Sequence, residues 1–240
     1  IVQLLLRHGA DASICMNDGA CPLFVACQNG HKTAVETLLE YDAGVNLCMS
    51  YGTSPLYVAS QRGHENIAHL LLDRGALVNL CNKYNSSPLY PACFWGYYSI
   101  AQLLLNNGAN INQCLDDGTS PLHASCFGGH DSIVQYLLKN GADLDLCDSD
   151  GSGPIYRACQ FGHKTTVQIL LDNNANVNSF TKIGASPLYG ACENGHVDVV
   201  QLLIKSGADV NLAVMDGKSS LLIACQNGHH TTVQVLLNSG

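Results

Sequence analysis

The fold is decided by one stretch of the chain, residues 120–145, which reads SPLHASCFGGHDSIVQYLLKNGADLD. Ser120 is a favoured helix N-cap, and Pro121 suits the first helical position, where its missing N–H costs nothing. Two glycines end this short helix, and apolar residues at helical spacing predict a second helix from about Asp131. Gly141 then supplies a left-handed C-cap. The stretch therefore predicts a helix, a turn, a second helix and a polar loop suited to a β-hairpin.

The same unit returns along the whole chain at a constant interval, because Gly75, Gly108 and Gly141 lie 33 residues apart. A Gly-His pair recurs at this interval, and Gly96-Tyr97 is its one variant. A fixed period of this length is the signature of a stacked repeat architecture. One two-helix unit cannot bury its apolar stripe alone, so neighbouring units must stack. The predicted fold class is an all-α repeat solenoid of helix-turn-helix units joined by β-hairpin loops.

The period divides the chain into one repeat domain, residues 1–240. A partial repeat covers 1–18, six full repeats cover 19–51, 52–84, 85–117, 118–150, 151–183 and 184–216, and the last repeat, 217–240, stops after its second helix. Both ends of the chain lack a polar terminal repeat, which solenoids need for solubility. We therefore expect a monomeric piece of a longer array, or ends that partner units cover.

These motifs resemble the ankyrin repeat family, with its pattern of Gly, Thr-Pro-Leu-His, Ala-Ala, Gly-His, Leu-Leu and Gly-Ala-Asp-Val-Asn. The resemblance covers essentially the whole chain. It implies a non-catalytic module that binds another protein through a concave groove, lined by the hairpin tips and the first helices. Two departures stand out: the His of the first motif is kept only at His123, and Asp42 and Asn174 replace the C-cap Gly.

Composition narrows the range of partners. Eleven Lys and Arg against nineteen Asp and Glu give a formal net charge of −8, which opposes binding to a phosphate backbone. No apolar run approaches the roughly 18 to 20 residues of a membrane span, and no secretory signal pattern opens the chain. We expect no nucleic-acid partner and no membrane insertion.

Twelve cysteines fall into two columns of the repeat, with Cys21 left over. Equivalent residues of stacked repeats should lie about 8 to 10 Å apart, beyond the ~7 Å limit on Cα separation in a disulfide. The column of Cys27 is expected to hold small buried hydrophobes, and the column of Cys48 to be partly exposed. Disulfides between equivalent cysteines are therefore not expected, and so many free thiols favour a reducing compartment, the cytoplasm or the nucleus.

The ten histidines do not point to an active site. Six of them belong to the Gly-His column, and a residue that recurs in every unit indicates a structural role. The sequence contains no phosphate-binding Gly loop, HExxH or GxSxG motif. We therefore expect no enzyme activity, no catalytic residues, no cofactor and no metal site.

Specificity for a partner must lie in the columns that vary between repeats, which are the hairpin tips and the pair before Gly-His. The chain's one Trp lies in the second set, beside a Phe, and two further Phe follow in the next repeats. Exposed aromatic side chains typically anchor protein interfaces, and acidic tips would favour a basic rim on the partner. The predicted partner-binding residues are Phe94, Trp95, Phe127, Phe161, Tyr51, Tyr84, Asp116, Asp117, Asp148 and Asp150.

Two alternatives stay open. The aromatic rings could fold back onto neighbouring helices and fill space. The array could also be a structural spacer, or a regulatory segment of a larger protein whose catalytic or channel domain lies outside this chain.

Overall fold

The computed structural model describes residues 1–239, and within them the chain forms fifteen α-helices. The helices belong to two compact units: unit 1 is Ile1–Asp116, and unit 2 begins at Asp117. Unit 1 contains α1 Val2–Arg7, α2 Pro22–Gln28, α3 Lys32–Glu40, α4 Pro55–Arg62, α5 Glu65–Asp73, α6 Leu89–Phe94 and α7 Tyr98–Asn106. Unit 2 contains α8 Pro121–Gly128, α9 Asp131–Lys139, α10 Pro154–Gln160, α11 Lys164–Asp172, α12 Pro187–Glu193, α13 Val197–Lys205, α14 Ser220–Gln226 and α15 His230–Leu237.

Within each unit the helices form two rows. In unit 1 the first helices of the repeats, α2, α4 and α6, pack side by side, and so do the second helices α3, α5 and α7. In unit 2 the two rows are α8, α10, α12, α14 and α9, α11, α13, α15. Each unit is therefore a solenoid-type stack of helix pairs, which confirms the predicted all-α repeat class.

In the helix pair of residues 120–145, the N-cap, the left-handed glycine and the apolar face predicted from the sequence are all observed. The Ser120 hydroxyl accepts the backbone N–H of His123 at the start of α8, and Gly129 ends this helix in the left-handed conformation. In α9 the side chains of Ile133, Val134 and Leu137 are buried. Helical spacing thus places one apolar face of α9 in the core.

The loops between repeats turn back tightly but form no β-strand within residues 1–239. In a typical loop the N–H of Asn82 donates to the Ser86 carbonyl at 3.0 Å, and the N–H of Asn85 donates to the Asn82 carbonyl at 3.0 Å. Because the turn closes within five residues, no residues are left to form the paired strands of a hairpin. In this part of the chain a single isolated bridge, Ala213 to Ser219, has β-type pairing. The expected β-hairpins are closed turns rather than paired strands.

Asparagines at the repeat period connect successive repeats. The Asn79 side-chain amide donates to the Gly108 carbonyl at 2.9 Å, and its oxygen accepts the N–H of Asn110 at 2.8 Å. Asn46 and Asn178 make the equivalent pairs of bonds one repeat onward. The column therefore satisfies backbone groups at the end of the second helix, which would otherwise lack partners.

The two residues that replace a C-cap glycine adopt the same conformation as glycine. Asp42 has φ 58° and Asn174 has φ 67°. A left-handed conformation suits Asn better than other residues with a side chain. The structure adds Asn85, with φ 61°, which the sequence did not suggest.

The cysteines follow their columns with two exceptions. The Cys27 column is buried at Cys27, Cys93, Cys126, Cys159 and Cys192, whereas Cys225 is exposed. Burial raises the pKa of Cys27 to about 12, and that of Cys192 likewise to about 12, as expected of unreactive thiols. Cys15 and Cys21 form a disulfide, because their loop brings the two Cα atoms to 4.1 Å. The sequence did not suggest this bond, which joins two residues of one loop rather than equivalent cysteines of stacked repeats.

Candidate functional site

Two of the predicted aromatic residues of unit 1, Phe94 and Trp95, meet at the end of α6. Trp95 caps this helix, and 55% of its side-chain surface is exposed. Its indole meets the Phe94 ring edge-on, with centroids 5.1 Å apart, and Phe94 also stacks with Tyr90 at 6.3 Å. Phe94 is therefore half-buried and packs between Tyr90 and Trp95. For this ring the space-filling alternative holds in part. Trp95 extends into solvent and is available for contact.

An open cavity of about 330 Å³ lies beside Trp95. Its other walls are Gln61 and Arg62 at the end of α4, and Tyr97 at the start of α7. Arg62 is exposed and forms no ion pair with any residue among 1–239. The cavity therefore presents one cation, one indole and one phenol to solvent.

The cavity coincides with the one place where Gly-His becomes Gly-Tyr. In four other repeats the imidazole Nε2 of this column lies within hydrogen-bond distance of a carbonyl of the preceding repeat: the distances are 3.3 Å for His64, 2.8 Å for His163, 3.1 Å for His196 and 3.0 Å for His229. Because a carbonyl only accepts, Nε2 carries the proton in each. These bonds show the structural role that the periodicity predicted.

The hairpin tips of unit 1 carry the two predicted tyrosines and a lysine that the sequence did not single out. Tyr51 and Tyr84 are 60% and 57% exposed. The Lys83 ammonium lies 3.7 Å from the Tyr51 ring centroid and 4.8 Å from that of Tyr84. A cation over two aromatic faces is attracted by the ring quadrupoles, so these tips form one basic and aromatic cluster.

In unit 2 the two predicted phenylalanines contact each other. The rings of Phe127 and Phe161 lie 4.3 Å apart between centroids, tilted by 58°. They come from the ends of two successive first helices, α8 and α10, and are 40% and 41% exposed. The pair forms a small apolar surface on unit 2.

The acidic tips divide into exposed and internal residues. Asp116, Asp117 and Asp150 are exposed, as expected. Asp148 is not, because its carboxylate accepts from the Arg157 guanidinium at 2.5 and 3.1 Å, and from the backbone N–H groups of Asp150 and Ser152. The expectation that Asp148 is an acidic contact for a partner is therefore corrected to an internal ion pair.

The environment of Asp148 favours its charged form. Burial by itself raises the pKa of this carboxyl, but the hydrogen bonds from Arg157 and from the Ser152 and Asp150 amides outweigh it, so the pKa lies below its ordinary value. Arg157 also donates to Gln160 at 3.0 Å. Its guanidinium is thus committed within unit 2, in contrast to Arg62 in unit 1.

His123 also has an internal role. Its Nδ1 lies 2.8 Å from the Ser120 hydroxyl, and its Nε2 lies 2.9 Å from the Ser152 carbonyl, which fixes the proton on Nε2. Burial lowers the pKa of this imidazole. The side chain caps α8 and ties it to the following loop.

Within residues 1–239, no three His, Cys, Asp or Glu side chains come together in a group able to hold a metal ion. None of the helices of this region has the length and apolar character to cross a membrane.

Comparison with known proteins identifies the class. The family described as ankyrin repeats (3 copies) matches residues 1–82, 48–114, 89–181 and 180–240, and the chain belongs to the ankyrin repeat family. Such repeats generally serve as protein–protein interaction modules. The crystal structure of the human ASB11 ankyrin repeat domain is similar, with a TM-score of 0.84 and 30% sequence identity over 91% of this chain and 97% of that chain. No curated protein sequence matches this chain.

Proposed function

We propose that this chain is a non-catalytic recognition module that binds a partner protein through the ends of its first helices and its hairpin tips. The supporting observation is the exposure of Trp95, Phe127 and Phe161 in the two columns before Gly-His, where most other repeats carry Gln, Glu, Asn, Arg or Gly. Full burial of a large apolar side chain contributes about 1.5 to 3 kcal/mol, and these rings, which are 40 to 55% exposed, leave part of that free energy unused. A partner that covers these rings recovers it.

The partner is a protein rather than a nucleic acid. The formal charge of −8 opposes phosphate binding, whereas exposed Trp and Tyr are enriched at protein interfaces. The buried thiols suit a reducing compartment, and we place the module in the cytoplasm or nucleus. The Cys15–Cys21 disulfide is the one feature that this placement does not explain.

The test compares partners recovered by proximity labelling with the wild type and with a Trp95→Ala, Phe127→Ala, Phe161→Ala variant. A matched control carries Leu77→Ala and Phe180→Ala, which remove side chains that are 56% and 72% exposed but lie in loops. Circular dichroism first establishes that all three proteins are folded.

We expect the triple variant to lose specific partners that the control retains, because interface aromatic residues carry most of the binding free energy. If all three proteins recover the same partners, the rings do not bind, and the spacer alternative gains support.

A further inference from the structure

The single Gly-Tyr variant of the repeat leaves hydrogen-bonding groups unused. The histidine of a typical repeat donates to the carbonyl thirty-six positions earlier, as His64 does to Gln28 and His196 to Gln160. The equivalent carbonyl for Tyr97 is that of Gln61, and no group within residues 1–239 donates to it. The change to Tyr therefore frees a backbone acceptor at the end of α4.

The tyrosine ring also fixes the position of the cavity wall. It lies against Gly63, where a Cβ atom would come within 2.8 Å of ring carbons. Gly63 is left-handed, with φ 76°, so Gly satisfies both the conformation and the close approach. The phenol is thus held beside the Arg62 guanidinium and the Trp95 indole as walls of the same cavity.

Building on the proposed function, we propose that this cavity binds an acidic side chain of the partner protein, an Asp or Glu within an extended segment, next to an apolar residue. The carboxylate pairs with Arg62, and the apolar neighbour packs on the Trp95 ring.

Charge complementarity selects the carboxylate. Arg62 is the one charged residue among the cavity walls, and its guanidinium presents a donor fork that matches a carboxylate with two parallel hydrogen bonds. A Lys or Arg of the partner would meet like charge there. The chain has a formal net charge of −8, so an acidic segment is repelled by most of its surface. Attraction to Arg62 at this one site then favours a defined docking position.

The size of the cavity also agrees with this occupant. About 330 Å³ lies at the lower end of the range for small-molecule sites, roughly 300 to 1,000 Å³. It accommodates one or two side chains of a peptide. The phenol of Tyr97 and the carbonyl of Gln61 can bond the backbone of the bound segment, because one donates and the other accepts.

The experiment selects short random peptides displayed on phage against the full chain, with the Tyr97→His variant as the counter-target. The selected sequences are then synthesised with blocked ends, both as selected and with Glu or Asp changed to Gln or Asn. Trp95 is the one Trp of the chain, so its fluorescence reports binding at the cavity directly.

We expect enrichment of Asp or Glu beside an apolar residue. Arg62→Gln should lower the affinity for a selected peptide about tenfold, as expected from the loss of a charge-assisted hydrogen bond. The peptide with Gln or Asn in place of the acidic residue should lose affinity to a similar extent. Tyr97→His should abolish binding while leaving the fold at least as stable, because the imidazole can bond the Gln61 carbonyl as its counterparts do. That variant separates loss of the site from loss of the fold.

Several outcomes would overturn the inference: peptides rich in Lys or Arg, binding that Arg62→Gln leaves unchanged, binding that requires a free C-terminal carboxylate, or no enrichment at all. None of them touches the proposed function, which the recovery of whole partner proteins by the wild type and by the triple variant tests separately.

Discussion

The junction between repeats at Tyr97 in unit 1 differs from the junction at His196 in unit 2. At His196 the imidazole donates to the Gln160 carbonyl, so the end of α10 is satisfied within the stack. At Tyr97 the equivalent carbonyl is left without a donor, and a cavity opens beside Arg62. One carbonyl is thus used within the stack at His196, and one at Tyr97 can accept a hydrogen bond from another molecule.

Two arginines in first helices, Arg157 in unit 2 and Arg62 in unit 1, show the same difference between an internally bonded group and an open one. Arg157 in unit 2 is bound to Asp148 and has 26% of its side chain exposed. Arg62 in unit 1 is exposed without an ion pair among the described residues. One arginine thus stabilises its repeat, and the other is available to a ligand.

The largest expected effect on stability comes from replacing these arginines in turn. Arg157→Ala leaves the buried Asp148 carboxylate without its cation and should lower the free energy of unfolding by about 2 kcal/mol. Arg62→Ala should change it by less than about 0.5 kcal/mol, as for most surface substitutions. Urea denaturation of both variants measures the contrast, and equal losses would show that Arg62 is structural too.

A smaller effect is expected from exchanging the residues at the two junctions. His196→Tyr removes the bond to the Gln160 carbonyl and should cost about 1 kcal/mol, the typical net value of one hydrogen bond. The reverse change, Tyr97→His, should stabilise the chain by up to about 1 kcal/mol. Thermal unfolding of the two variants tests this opposition, and a shift of the same sign in both would contradict it.

The smallest effect concerns pH and His123, the one His in a column that otherwise holds mainly Tyr. Burial lowers the pKa of its imidazole in the folded chain, so the unfolded chain binds its proton first as the pH falls. Stability should therefore decrease as the pH drops through about 6.5. His123→Tyr should reduce this loss between about pH 7.5 and 5.5, since Tyr does not titrate there. Urea midpoints at both pH values provide the measurement, and identical pH dependence in both proteins would contradict the assignment.

Much of the fold could be predicted from the sequence because it depends on local, periodic signals. Pro121 and Gly129 mark the start and end of α8, and the spacing of Ile133 and Leu137 identifies the buried face of α9. The strands predicted for the loops did not form, since a turn that closes from Asn82 to Ser86 leaves no length for pairing. The limits of the repeats and the single domain remain predictions.

The candidate site was only partly predictable. Exposure of Trp95 followed from its place in a variable column, but the burial of Asp148 depends on Arg157, nine residues along the chain and on the next helix. The cavity at Tyr97 brings this residue together with Gln61, thirty-six positions earlier in the chain. In the sequence, this cavity is signalled by the Tyr that replaces His in the Gly-His column. The sequence shows the replacement but not the cavity beside it.

The role of the Trp95 indole in partner binding is tested most directly by the affinity of a recovered partner for Trp95→Ala and for the matched control Leu77→Ala, together with the melting temperature of each variant. We expect Trp95→Ala to weaken binding about thirtyfold, as for an interface anchor worth ~2 kcal/mol, at an unchanged melting temperature, and Leu77→Ala to alter neither. Equal affinities for the two variants, or a lower melting temperature for Trp95→Ala alone, would show that the indole supports the stack rather than the partner.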